Sequence, residues 1–246
     1  MLSDTAVILA AGLGTRLGKH MPKGLVPVAG YPMLSYSLGF LHACNVRRIV
    51  LVGGFQFSEL EAIARSLDPK IEPVLNTNYE QGNIVSLACG LERVAEGGVL
   101  LFHADHIFRA DIAERVRQAR GKGMTVFTDH DRLLGADDMK VATDGTGKFF
   151  KRASKQLRDY RCGYVGITYC GPDMLPLYRK AVEEVIRGEG PLVSSERAMQ
   201  YLADQGAPIR IADISGSRWL EVDYPEELAR ADEEIRTHGS LYPKAI

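Results

Sequence analysis

The chain of 246 residues carries almost no net charge: 30 Lys and Arg stand against 31 Asp and Glu, leaving −1. A broad basic face for nucleic acid needs a clear positive excess, so that partner class is excluded. A local basic cluster for a small phosphorylated ligand is not. Cysteine is scarce too. Cys44, Cys89, Cys162 and Cys170 are scattered without a CxxC pair, which argues against structural zinc and implies no disulfide framework. The first apolar run, Ala6–Ala11, has no basic segment before it and is far too short for a signal core or a membrane span. Repeats, linkers and low-complexity stretches are missing. The expectation is one domain over 1–246, cytoplasmic, with no membrane partner and with its oligomeric state, a homodimer included, left open.

What is present is core-forming. Hydrophobic residues make up 46% of the chain and charged ones 25%, which suits a folded domain and not a disordered one. Ala6–Ala11 is continuously apolar and stops at Gly12, the pattern of a strand buried in a mostly parallel sheet. Met33–Cys44 has Leu34, Leu38 and Leu41 at helical spacing. Arg48–Val52 reads as a strand, Ser58–Leu67 as a helix with Ser58 as N-cap, and Ile71–Leu75 as a strand. Asn83–Val94 reads as a helix and Gly98–Phe102 as a strand. Four such alternations imply right-handed crossovers and a doubly wound, mostly parallel α/β sheet.

The second half is less regular. Met124–Thr128, Gly163–Tyr169, Ile209–Ile214 and Trp219–Val222 read as strands. Met139–Ala142 reads as a hairpin arm before the turn Asp144–Gly147. Asp173–Arg187, Ser194–Gln205 and Pro225–Thr237 read as helices, and the residues after about His238 are expected to fray.

The segment Leu9-Ala10-Ala11-Gly12-Leu13-Gly14-Thr15-Arg16-Leu17-Gly18 carries the chemistry. A glycine-rich turn after a first strand offers backbone N–H groups to phosphate oxygens. A dinucleotide fingerprint fails here, because Leu17 stands at its third glycine position. A P-loop fails twice: Leu13 stands at its first glycine, and His20 follows Lys19 where a hydroxyl is needed. Arg16 and Lys23 favour a third reading. Two cations beside a nest of donors suit a triphosphate whose pyrophosphate gains charge as it leaves. Asp105 follows the strand ending at Phe102, the place where a carboxylate meets a phosphate-bound magnesium ion.

The run Leu9-Ala10-Ala11-Gly12-x-Gly14-Thr15-Arg16, with Pro22-Lys23-Gly24-Leu25 and Gly30-Tyr31-Pro32-Met33-Leu34, resembles the opening of the sugar-phosphate nucleotidyltransferase family. The resemblance implies a Rossmann-like, GT-A-like nucleotidyltransferase fold. It also implies Mg2+ on Asp105 and on Asp223 in Trp219-Leu220-Glu221-Val222-Asp223, with Glu221 beside them. Helix capping is the competing role for both aspartates. Asn83-x-x-Ser86-Leu87 resembles the cytidylyltransferase branch, which makes CDP- or CMP-linked alcohols and phosphonates. CTP is the nucleotide this implies, with Gly82, Asn83 and Ser86 near the base and Ala104 in the nucleotide site. Asn83 also reads as a helix cap.

Ala104-Asp105-His106-Ile107-Phe108 and Ser195-Glu196-Arg197-Ala198 are most similar to inositol-1-phosphate cytidylyltransferases. That similarity favours inositol 1-phosphate as acceptor, with phosphocholine and 2-aminoethylphosphonate as alternatives. A uridylyl-, thymidylyl- or guanylyltransferase and an inactive nucleotide sensor are the remaining readings. Within Asp137-Asp138-Met139-Lys140-Val141, Lys140 reads either as a contact to the acceptor phosphate or as a plain strand lysine. Lys148, Lys151, Arg152 and Lys155 read as a solvated basic face or an attractor for an anion. Tyr160, Tyr164, Tyr169 and Trp219 read as packing residues, with an aromatic cage for choline as the competing role.

Overall fold

The computed structural model describes residues 4–246. Its main sheet begins with β1 (Thr5–Leu9), β2 (Arg48–Gly53), β3 (Glu72–Leu75) and β4 (Val99–His103), side by side in the order β4-β1-β2-β3 and all parallel. Helices α1 (Met33–Ala43), α2 (Phe57–Leu67) and α3 (Asn83–Leu91) make the crossovers. Side chains alternate across a strand, and β1 shows what that does. Ala6 and Ile8 pack with Leu34, Leu38 and Leu60 on one face. Val7 and Leu9 pack with Ile84 and Leu87 on the other. Each fully buried leucine here contributes about 1.5–3 kcal/mol relative to exposure.

The later strands turn this into a mixed sheet. They are β5 (Met124–Asp129), β6 (Lys140–Thr143), β7 (Phe150–Ser154), β8 (Cys162–Cys170) and β9 (Ile209–Asp213). The long strand β8 runs antiparallel to β4, β5 and β6, while β9 lies parallel to β5. Helices α4 (Ala110–Gln118), α5 (Leu175–Glu189), α6 (Glu196–Asp204) and α7 (Pro225–His238) complete the layers. The register of β8 shifts between Tyr164 and Thr168, where Gly166 has φ +75°. A Cβ at Gly166 would lie 2.8 Å from His106 Nε2, so the absent side chain lets His106 reach the strand.

Several expectations are corrected. β1 ends at Leu9, so Ala10 and Ala11 belong to the loop. Helix α2 starts at Phe57, after Gln56 in a left-handed conformation, and Ser58 caps nothing. Trp219–Val222 shrinks to a short ladder of Leu220–Glu221 against His106–Ile107. Helix α4 and strand β7 were not expected. α4 is amphipathic, with Ile112, Ala113 and Val116 buried. The tail does not fray. Tyr242 is buried, and Ala245 N–H donates to Ser35 O. A Cβ at Gly39 would sit 2.4 Å from the Lys244 backbone, so a glycine in mid-helix lets the tail lie against α1.

Candidate active site

The carboxyl ends of β1 and β4 open together, the crevice where open α/β sheets bind ligands. After β1 the chain leaves as Ala10–Gly14, and Gly14 (φ +61°) and Gly18 (φ +63°) bracket one short helical turn, Thr15–Leu17. Gly12 has nothing within 4 Å of where a Cβ would stand, so its backbone is open to a ligand. A second short turn, Lys23–Leu25, follows Pro22 and aims Lys23 back at the end of β4.

Lys23 is the centre of the site. Its Nζ donates to Asp105 Oδ2 at 2.7 Å and also to Asp223 Oδ1. Arg16 Nη1 reaches the other oxygen of Asp223, Oδ2, at 3.1 Å, and the guanidinium carbon Cζ lies 5.6 Å from the centre of the Tyr224 ring. Burial alone would lower the Lys23 ammonium, but Asp105 and Asp223 outweigh it and hold the group above its ordinary value. Burial likewise raises Asp105, and Lys23 and His106 overcome that, leaving its carboxyl well below the usual range. Two carboxylates separated by 118 positions in sequence thus meet one cation.

Neither aspartate caps a helix. Tyr224 is the N-cap of α7, and the Glu227 carboxylate accepts from the Asp223 and Tyr224 amides. This fixes the Asp223 backbone and leaves its carboxylate free to face Lys23. His106 fixes the Asp105 side: its Nδ1 bonds Asp105 Oδ1, and its ring stacks on Trp219 with centroids 5.4 Å apart. Burial works against protonation of His106, but Asp105 and Glu221 raise it overall. Glu221 is itself raised by burial.

Two cavities meet here. One, of about 160 Å³, is lined by Leu9, Ala10, Ala11, Gly12, Lys23 and Ala104, with Tyr79, Gln81, Asn83 and Ser86 opposite. The other, of about 180 Å³, is lined by His106, Asp137, Met139, Lys155, Tyr164 and Gly166, with Ser194, Glu196, Glu221 and Asp223 opposite. Asn83, His103 and Asp105 line both.

Other residues singled out in the sequence lie elsewhere or are already engaged. Thr15 sits in the short turn after Gly14. Gly82 is the N-cap of α3, and a Cβ there would meet Val193 O at 2.2 Å; its small size serves that backbone contact. Asn83 is the first helical residue, and its Oδ1 accepts from Ser195 N–H at 2.7 Å. Ser86 Oγ accepts from Asn76 Nδ2 at 3.0 Å. Lys140 is buried, and its ammonium donates to the carbonyls of Gly135, Asp138 and Lys155. That bonding ties the loop before β6 to the end of β7. Tyr164, Tyr169 and Trp219 are buried, as packing residues should be, while Tyr160 is exposed.

The sequence pattern does not mark Tyr79, Gln81, His103 or Glu196 as site residues, and it weighs Tyr164 only as a member of an aromatic cage. Tyr79 and Gln81 flank Gly82 and were legible from it. Glu196 and Tyr164 lie far from any glycine loop in sequence, and no spacing rule joins them to it.

Two carboxylates on one cation stand beside a glycine-rich loop at the carboxyl ends of β1 and β4, where open α/β sheets bind ligands. The chain belongs to the nucleotidyltransferases: the family model of the MobA-like NTP transferase domain matches residues 6–136, more than half of its length. It is 36% identical to the 2-aminoethylphosphonate cytidylyltransferase of Lancefieldella rimae, over 96% of this chain and 93% of that protein. It is 30% identical to the bifunctional IPC transferase and DIPP synthase of Thermococcus kodakarensis, over 94% of this chain but only 50% of the relative's length. Among solved structures it resembles the inositol-1-phosphate CTP transferase from T. maritima, with TM-score 0.79 and 18% identity over 95% of this chain and 96% of that one. At that identity the likeness speaks for the fold. No helix among the described residues is long and apolar enough to cross a membrane.

Proposed function

We propose that the chain is a magnesium-dependent cytidylyltransferase. In this reading CTP lies over Ala10–Gly14, its base toward Tyr79–Ser86, and an anionic oxygen of a small phosphate or phosphonate attacks its α-phosphorus. One bond forms between that oxygen and phosphorus, the bond to the β-phosphate oxygen breaks, and pyrophosphate leaves. The attacking oxygen is already ionised at neutral pH, so no general base is required, and rate comes from positioning and charge stabilisation.

The observation that carries this reading is the Lys23 ammonium between Asp105 and Asp223. A cation bound there by two carboxylates marks a position that suits a second kind of cation. That position fits magnesium, which takes one or two carboxylates and completes its octahedron with water and substrate phosphates. Asp105 and Asp223 would hold it, and it would supply charge neutralisation at the α-phosphate. Lys23, released from the carboxylates, then serves the departing pyrophosphate together with Arg16. His106 and Glu227 keep the two aspartates in place. Lys155, at the rim of the second cavity, meets the acceptor's phosphorus-bound oxygens, while Lys140 anchors the loop beside it.

Two relatives are named for CMP or cytidylyl transfer to an aminoalkyl phosphonate, and the solved structure named above for CTP transfer to inositol 1-phosphate, so the named acceptors differ. Pyrophosphate release with CTP, UTP, dTTP and GTP, each with a mixture of these acceptors, tests the nucleotide. CTP is expected to exceed the others by at least about tenfold. A preference for UTP, dTTP or GTP would overturn the cytidylyl assignment.

A further inference from the structure

The second cavity contains a carboxylate that the transfer of CMP does not use. Glu196 opens helix α6, and an acid in a first helical turn usually sits in water, where the helix dipole favours it. This one is only 5% exposed and faces the cavity. Its bonding is sparse. Ser195 Oγ lies 3.3 Å from Glu196 Oε1, and the nearest cationic-type nitrogen, His103 Nε2, lies 3.9 Å away. Among the described residues no Lys or Arg comes within 4.0 Å of it, although 13 of the 17 ion pairs in the fold involve Lys or Arg. His103 Nε2 is itself buried without a hydrogen-bond partner. A buried carboxylate without a cation is costly unless something completes it.

We propose that Glu196 recognises a primary ammonium on the acceptor, so that the molecule receiving the nucleotide is a short phosphonate or phosphate ester carrying an amine. The inference rests on the cytidylyltransferase reading above and names the substrate class for the same site. Three features of the cavity support it. The wall away from the phosphate loop is acidic, with Glu196, Glu221 and Asp137, and Lys155 is its one lysine or arginine. A neutral polyol would leave the Glu196 charge unanswered, whereas a primary ammonium offers three N–H donors to Glu196 and the polar groups around it. The aromatic lining is Tyr164 with the two imidazoles of His103 and His106, short of the aromatic cage that a quaternary ammonium requires. The volume of about 180 Å³ corresponds to roughly six waters at about 30 Å³ each, the scale of a two- or three-carbon chain and its end groups.

The test compares kcat/KM of the full chain, with CTP and magnesium, for four acceptors: 2-aminoethylphosphonate, its ammonium-free counterpart propylphosphonate, phosphocholine and inositol 1-phosphate. Aminoethylphosphonate is expected to exceed propylphosphonate by about 10- to 100-fold, the range for one charge-assisted bond. In Glu196→Gln, which keeps the shape and removes the charge, that ratio collapses toward one, chiefly through KM. Glu196→Asp restores part of it. Because the readout is a ratio within one preparation, a loss of folded protein lowers both numbers and leaves the ratio standing. A ratio that Glu196→Gln does not change, or a clear preference for phosphocholine or inositol 1-phosphate, overturns the role of Glu196 while leaving CMP transfer intact. Absence of pyrophosphate release from CTP with all four acceptors overturns both readings together.

Discussion

The two cavities that share Asn83, His103 and Asp105 are built in opposite ways. The cavity proposed for the nucleotide draws on Lys23 and on three short stretches, within residues 9–12, 79–86 and 103–105, each at the end of a parallel strand or the start of the helix that follows. The cavity proposed for the acceptor draws single residues from β8, α6, the end of β7 and the segment before α7. The first is lined in part by Ala10, Ala11, Gly12 and Ala104, which leave backbone close to the surface, and the second almost wholly by residues with polar or aromatic side chains. Backbone donors suit phosphates that every nucleotide carries, and side chains suit the one group by which acceptors differ. A fold of this kind can keep its nucleotide half and exchange acceptors by changing a few distant residues.

The sharpest way to break the comparison is at the aspartate shared by both halves. Asp105→Ala is expected to lower magnesium-dependent turnover by about 10³-fold or more, comparable to removing a charge-stabilising group from a transition state. Thermal unfolding should still show a cooperative transition, since the residue caps no helix and lies outside the core clusters. Near-normal turnover in that variant would refute the metal role. Lys23→Met comes next. It should cost about 10²-fold in kcat, because the group is asked to stabilise the leaving pyrophosphate; a change confined to KM would mean that it binds CTP equally in the ground and transition states.

Gly166→Ala tests whether His106 needs the bulge in β8. The new methyl meets His106 Nε2 at 2.8 Å in a left-handed backbone, and urea unfolding should show a loss of about 2–4 kcal/mol. An unchanged midpoint would mean that the histidine shifts freely. Arg16→Ala is the mildest. Arg16 is half-exposed, so about a tenfold rise in KM for CTP is expected, sensitive to salt.

The same contrast explains how much of the molecule is legible in its sequence. The strands β1, β2 and β4 are continuous apolar runs, and the loop after β1 is a contiguous motif, so the order of residues alone points to Arg16, Lys23 and Asp105. Asp223 is legible only by likeness to a family, because its position opposite Lys23 is a tertiary fact. Glu196 lies in a segment legible only by likeness to a family, with no role attached to it: as the first residue of a helix it looks like any acid that suits the dipole. Lys140 shows the reverse error of local reading. It stands in a motif that suggests a phosphate contact, and its ammonium is spent on three carbonyls. Ser58 and the docked tail depart from expectation for related reasons. Gln56 turns left-handed before α2, and Tyr242 finds its cavity only once α1 and α7 are packed.

The central claim is that Asp105 and Asp223 hold Lys23 when no ligand is present and magnesium when CTP is bound. Calorimetric titration of CTP into the wild type and into Asp105→Ala/Asp223→Ala, with and without magnesium, tests it most directly. Magnesium is expected to tighten CTP binding to the wild type by at least about tenfold and to have little effect on the double variant. An equal magnesium effect on both proteins would contradict it.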